Sequence, residues 1–305
     1  MLSTLPFEAP ARLLELAKDL APVRMAVVGA DDRLPMESAR SAADAGLIEP
    51  VLIGRADRIR DCAAAIGWDI SAVEVVDEQD EAAKAVKGAA MAADGHVRAL
   101  MKGQIHTDHL MRAVLTRSAG LRTERRVSHI FHMTVPGSDK ELMITDAAVN
   151  VAPNLAGLMD ITRNAVELAH KLGNSRPKAA LLSGTETPIA SMPSSELMAE
   201  LSAAANDPAT GIADADIYGP LAFDNAVSPE AARLKGIDSP VAGNADILVV
   251  PNIEMGNGLF KMMVYFRSAC AAGIVMGAKI PIVLTSRADP PEARLTAAAI
   301  AALVA

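Results

Sequence analysis

Four polar stretches follow short apolar runs, and they hold the residue types able to handle an anionic substrate. Met101–Val114 (MKGQIHTDHLMRAV) brings positive charge from Lys102, His106 and Arg112. Gly103 permits close backbone approach, and Thr107 or Asp108 can cap the helix that follows. Val283–Asp289 (VLTSRAD) places the hydroxyl of Ser286, the guanidinium of Arg287 and the carboxylate of Asp289 at the end of an apolar strand. Backbone N–H groups, a hydroxyl and a guanidinium in one place make an anion site; the same serine also suits a helix N-cap. Thr145–Asn154 sets Asp146 and Asn150 among apolar neighbours, where short polar side chains also serve as local backbone caps. Tyr218–Asn257 spreads acids, glycines and prolines over strand–helix junctions, with Asp224 able to orient a base or an arginine and Asn257 at its end.

Several chemistries are not written in this chain. It has no G-x-G-x-x-G, no G-x-x-x-x-G-K-[ST] and no G-x-S-x-G. Of the six histidines, His106 and His109 are three apart but lack the H-E-x-x-H pattern, and His129 and His132 on a strand would face opposite sides. No metal site is expected. Cys62 and Cys270 are far apart without ligand-like spacing, so both are expected to be buried small hydrophobes.

Composition narrows the class further. The 305 residues include 29 Lys and Arg against 37 Asp and Glu, a formal charge of −8, which argues against nucleic acid as a partner. Aromatics at 3% leave little material for base stacking. A 51% apolar content supports a sizeable core, yet no apolar run reaches the roughly 18 residues a membrane helix needs. The amphipathic start, with Glu8, Arg12, Glu15 and Lys18, does not read as a signal peptide, so a cytoplasmic protein with no membrane partner is expected.

The elements that must position these residues alternate. Strands are expected at 24–29, 50–53, 73–76 and 99–101, with helices at 35–45, 58–66 and 81–93 between them. That is the pattern of βαβ units and a mostly parallel sheet. A hairpin follows at 128–135 and 141–145, turned by Pro136–Asp139. Helix is expected at 155–172, 194–205, 257–272 and 288–304, and strand at 178–182, 245–250, 273–276 and 280–285. The layout is α/β: two α/β/α lobes with mostly parallel sheets.

MKGQIHTDHLMRAVL (101–115), GLRTERRVSHIF (120–131), ITDAAVNVAP (144–153), the 219–257 stretch from GPLAFDNAVSPEAARLKG to VVPNIEMGN, and GAKIPIVLTSRAD (277–289) occur in order. On these segments the chain resembles the phosphate acetyltransferase and phosphate butyryltransferase family, and looks closest to its butyryltransferase-like branch. The resemblance implies an isocitrate/isopropylmalate-dehydrogenase-like fold with an active cleft between two lobes. One lobe is then discontinuous, residues 1–146 with 280–305, and the other is 147–279. It also implies a homodimer and a reversible reaction: acyl-CoA and phosphate give acyl phosphate and CoA, with CoA as substrate and no cofactor or metal. By matching the motif, Ser286 would hydrogen-bond the CoA sulfur or the carbonyl. Arg287 would bind phosphate and the developing oxyanion, and Arg112 would bind phosphate. The resemblance assigns no base; Asp289 and Glu292 are the nearby acids that could serve as one. Lys102, Gly103, His106, Thr107, Asp146, Asn150, Asp224 and Asn257 are the further substrate-binding candidates.

Two positions depart from the family pattern. Ala293 stands where phosphotransacetylases carry an aspartate six residues beyond the Ser-Arg pair, and Tyr218 stands where Asp-Gly-Pro is common. These departures motivate an alternative: a catalytically weak acyl-CoA or acyl-phosphate binding regulator on the same fold. A metal-dependent dehydrogenase is a third reading, but Asp216, Asp224, Asp238 and Asp246 show no matching spacing.

Overall fold

The computed structural model describes residues 2–286 and 288–305, so Arg287 lies outside the described residues. The chain forms two compact units. One is Ala9–Arg125 with Ala272–Ala305, called here the first unit; the other is Arg126–Ala271 joined by residues 2–8. The hairpin 128–145 therefore lies in the second unit, whereas the resemblance implies boundaries at 146 and 280.

The first unit alternates helix and strand: α1 (Ala11–Lys18), β1 (Val23–Val28), α2 (Arg33–Asp44), β2 (Ile48–Gly54), α3 (Ala56–Ala65), β3 (Glu74–Asp77), α4 (Glu81–Ala93), β4 (Ala99–Lys102) and α5 (Thr107–Leu115). The second holds β5 (Ser128–Thr134), β6 (Glu141–Thr145), α6 (Leu155–Lys171), β7 (Lys178–Leu182), α7 (Pro193–Ala205), β8 (Asp216–Leu221), α8 (Phe223–Val227), α9 (Pro229–Leu234), β9 (Ile247–Val249) and α10 (Ile253–Arg267). The chain then runs through β10 (Cys270–Met276), which starts at the boundary, to β11 (Ile282–Val283) and α11 (Pro291–Val304). No helix among the described residues is long and apolar enough to cross a membrane.

In the first unit the strands lie in the order β3-β2-β1-β4-β11-β10. All pairs are parallel except β10 with β11. Parallel strands covered on both faces need apolar residues at every position, and Met25–Val28, Val51–Ile53 and Ala99–Met101 are all buried. In the second unit the order is β5-β6-β9-β7-β8, with only the β5–β6 hairpin antiparallel. Its core includes Phe131, Ile144, Leu182, Leu221 and Leu248.

Helix starts follow the short polar residues that precede them. Asp80 accepts the N–H of Ala83 at 2.8 Å to cap α4, and Asn154 accepts that of Gly157 at 3.0 Å to cap α6. Neither Thr107 nor Asp108 caps α5; both lie inside the helix, and His106 is the residue before it. The helix expected at 257–272 ends at Arg267, where Ser268 takes a left-handed φ of 50° and the chain turns into β10. Cys270 is buried, but Cys62 on the outer side of α3 is only half-buried, so the expectation of two buried thiols holds for one.

The sharpest packing constraint is at the end of β4. The N–H of Gly103 donates to Val28 C=O and that of Gln104 to Gly29 C=O, both at 2.8 Å. A Cβ on Gly103 would lie 2.2 Å from Gly29 O and 2.8 Å from Val28 O. Backbone atoms cannot move aside as a flexible side chain can. Gly103→Ala is therefore expected to cost at least about 2 kcal/mol of stability, read as a lower urea midpoint. A midpoint equal to wild type contradicts this packing.

Candidate active site

The first unit presents a pocket at the carboxyl ends of its central strands, where open α/β sheets place ligands. Register puts it there. β11 pairs with β4 through Ile282–Leu100 and Val283–Met101, so Thr285-Ser286 and Lys102-Gly103-Gln104 leave the sheet side by side. Leu34, Pro35 and Ser38 from the start of α2 close one wall, and Arg294 of α11 closes another. Ser38, Lys102, Gln104, Thr285, Ser286 and Arg294 supply the polar lining, and among the described residues no carboxylate lines it.

Behind the pocket the chain makes a tight turn. The N–H of Ser286 donates to Asp289 Oδ2 at 2.6 Å, and Asp289 N–H donates back to Ser286 C=O at 3.2 Å. Burial pushes the Asp289 carboxyl above the usual carboxylate range. The Ser286 N–H and the charges of Arg294 and Lys102 oppose that rise. The Arg294 guanidinium donates to the backbone carbonyl of Asp289.

Of the expected site residues, the structure brings Lys102, Gly103 and Ser286 together, with Asp289 directly behind Ser286. His106 and Thr107 sit at the start of α5 and do not line the pocket, and Arg112 is exposed further along the same helix. His106 is instead engaged by Glu81. That carboxylate accepts the backbone N–H of His106, bonds its Nδ1 at 2.7 Å and lies 3.4 Å from Nδ1 of His109. The His106 N–H leads the interactions that hold Glu81 below the usual range. Glu81, His106 and His109 thus form a cluster of metal-ligand type. Sequence spacing missed it because Glu81 lies 25 residues upstream of His106.

Asp146, Asn150, Asp224 and Asn257 belong to the second unit. Asp146 is buried, and its carboxylate is consumed by its own loop and by β5. Oδ1 accepts from Ala148 and Val149 N–H, and Oδ2 from the N–H groups of His129 and Asn150 and from the Asn150 side chain at 2.6 Å. Five donors fill the roughly four lone-pair sites of a carboxylate. Asp146 therefore organises the loop and has no acceptor left for substrate, which replaces the substrate-binding role expected for it. Asn150 passes the order on: its Oδ1 accepts from the exposed Arg126 guanidinium at 3.2 Å. Arg126 was not singled out in the sequence, and its position depends on this network. Asn257 donates to Ala147 C=O at 3.4 Å, and Asp224 is exposed on the short α8.

The site is thus a hydroxyl-and-cation pocket at the strand ends of one unit of a two-unit α/β chain. A branched-chain phosphotransacylase from Enterococcus faecalis superposes with a TM-score of 0.78 at 33% identity, over 92% of this chain and 97% of that one. A phosphate acetyltransferase of Rhizobium meliloti is 45% identical over 96% of this chain and 92% of its own length. A phosphate butyryltransferase of Clostridium acetobutylicum is 37% identical over 92% of this chain and 93% of its own. Residues 81–302 match the Phosphate acetyl/butaryl transferase family, and the chain belongs to it.

The Asp146 network predicts its own sensitivity. Asp146→Ala leaves buried N–H groups unpaired and is expected to destabilise the protein by about 3 kcal/mol. Urea unfolding followed by far-UV circular dichroism measures it, and an unchanged midpoint contradicts the assignment.

Proposed function

We infer that this protein is a phosphate acyltransferase that moves a short acyl group reversibly between CoA and inorganic phosphate. The observation that carries this is family membership together with a pocket that gathers Ser286, Lys102 and Arg294 and, among the described residues, is lined by no acid. In a chain of formal charge −8, such local positive charge is what draws anionic substrates.

In the acyl-phosphate-forming direction, a phosphate oxygen attacks the thioester carbonyl, a C–O bond forms and the C–S bond breaks. The negative charge that develops on the carbonyl oxygen needs preorganised donors, each worth about 3–4 kcal/mol. We assign the hydroxyl of Ser286 to the carbonyl or the departing sulfur. Lys102 and Arg287 are assigned to phosphate and the oxyanion; Arg112, exposed on α5 outside the pocket lining, is given no part in this step. Asp289, which stands behind Ser286 and outside the pocket lining, is assigned to take the proton of the attacking phosphate by way of the Ser286 hydroxyl and to return it to the thiolate, whose conjugate acid has a pKa of about 8.5. A carboxyl raised by burial stands nearer that thiol than an ordinary aspartate does. CoA is a substrate in this scheme, and no metal or nicotinamide takes part.

The relatives include both acetyl and butyryl enzymes, so an acyl series belongs in the first assay. We place a second copy of the chain on the exposed apolar face of α10, where Met262, Tyr265 and Phe266 are 55%, 47% and 49% exposed. Faces of this kind mark interaction sites.

CoA thiol release from acetyl-, propionyl- and butyryl-CoA is expected to require phosphate and to fall about 10²–10³-fold in Ser286→Ala. Release from none of the three contradicts the inference. The active form of Asp289 is the carboxylate, and its pKa is raised. The acid limb of kcat/KM is therefore expected above the ordinary aspartate value of about 4, with activity rising with pH through it. Asp289→Asn is expected to abolish that limb and slow the reaction about 10²–10⁴-fold. An unchanged pH profile in that variant removes Asp289 as the base.

A further inference from the structure

Arg294 is in an unusual position for a cation. It is the fourth residue of α11, and only 8% of it is exposed. Helix starts carry partial positive charge, so the first turn disfavours arginine. Buried charges are as a rule paired and hydrogen-bonded. Arg294 is not. One terminal nitrogen donates to the Asp289 carbonyl, and buried Nε has no hydrogen-bond partner among the described residues.

Two of the three nearby acids are otherwise engaged. Glu37, Glu292 and Asp289 all contribute to the potential at Arg294, but none forms a described ion pair with it. Glu37 pairs with Arg33 at 2.7 Å, and the Asp289 carboxylate accepts the Ser286 N–H. Meanwhile Arg294 lines the pocket with Lys102, Thr285 and Ser286, and among the described residues no carboxylate lines it. A guanidinium offers a planar fork of donors that matches a phosphoryl group, and here Nε has no partner among the described residues.

We propose that Arg294 binds the inorganic phosphate that accepts the acyl group, with Lys102 as the second cation of the same pocket. The proposal rests on the acyltransferase reading above. It commits to free phosphate over the phosphates of CoA because Ser286, assigned to the reacting thioester, lines this same pocket. Arg294 did not stand out in the sequence, where it reads as one more charge on a terminal helix.

The test is steady-state kinetics of wild type, Arg294→Lys and Arg294→Met, with phosphate and acyl-CoA varied separately, beside thermal melts with and without inorganic phosphate. In Arg294→Met the KM for phosphate is expected to rise at least tenfold while the KM for acyl-CoA stays within twofold. Arg294→Lys is expected to fall between that variant and wild type. Phosphate is expected to raise the melting temperature of wild type and not of Arg294→Met. An unchanged KM for phosphate with a retained thermal shift overturns the proposal and leaves Arg294 a structural residue. A parallel rise in the KM for acyl-CoA overturns it in favour of the CoA phosphates. If Arg294→Met does not fold, Arg294→Lys carries the same comparison, with equal KM values for phosphate as the contrary result. A wild type that releases no CoA with phosphate present defeats the acyltransferase reading instead; the melts still report whether phosphate binds through Arg294.

Discussion

The contact on which the pocket depends is backbone against backbone, where the end of β4 turns over the end of β1. Gly103 and Gln104 donate to Val28 and Gly29 at hydrogen-bond distance, and the absence of a side chain at Gly103 lets them do so. The turn sends Lys102 and Gln104 into the pocket wall. β11, paired in parallel beside β4, delivers Thr285 and Ser286 to the same place. Two short strands with little polar content of their own thus bring together groups separated by about 180 residues of chain. The α4 helix is tied to the loop after β1 by a buried ion pair, Lys84 Nζ to both oxygens of Asp31 at 2.9 and 2.7 Å. Such a pair is weak evidence for stability but fixes geometry, since separating the partners would strand two buried charges.

Both units use the same device to order polar loops: a carboxylate accepts backbone N–H groups that have no partner in a strand or helix. Asp146 does this fully buried in the second unit, and Asp289 does it behind Ser286 in the first. The two differ in what surrounds them. Asp146 is saturated with donors, whereas the Asp289 carboxylate accepts from the Ser286 N–H in a setting where burial outweighs the charges of Arg294 and Lys102. One carboxylate is committed to structure, and the other is the proposed base.

Much of the fold was legible because local pattern carries it. The βαβ alternation, α4 at 81–93 and β7 at 178–182 follow from apolar spacing and flanking caps. β8, with Tyr218, Gly219 and Pro220 inside it, was not legible, because Gly and Pro argue against a strand on local grounds. In the site, Lys102, Gly103 and Ser286 could be found because they follow strands directly. Arg294, Glu81 and Arg126 could not. Each acquires its meaning from a partner supplied by packing: the Asp289 turn for Arg294, two histidines of the next loop and helix for Glu81, and Asn150 for Arg126. Asp146 shows the converse. Its residue type was noticed correctly, but whether a carboxylate faces a ligand or its own backbone depends on a loop shape that no spacing encodes.

The central claim is that phosphate, and not water, accepts the acyl group in this pocket. The most direct test mixes enzyme, acetyl-CoA and inorganic phosphate, traps acyl phosphate with hydroxylamine, and counts hydroxamate against CoA thiol released. One hydroxamate for each thiol, with neither formed when phosphate is omitted, is the result predicted. Thiol release without hydroxamate would show hydrolysis and contradict the account.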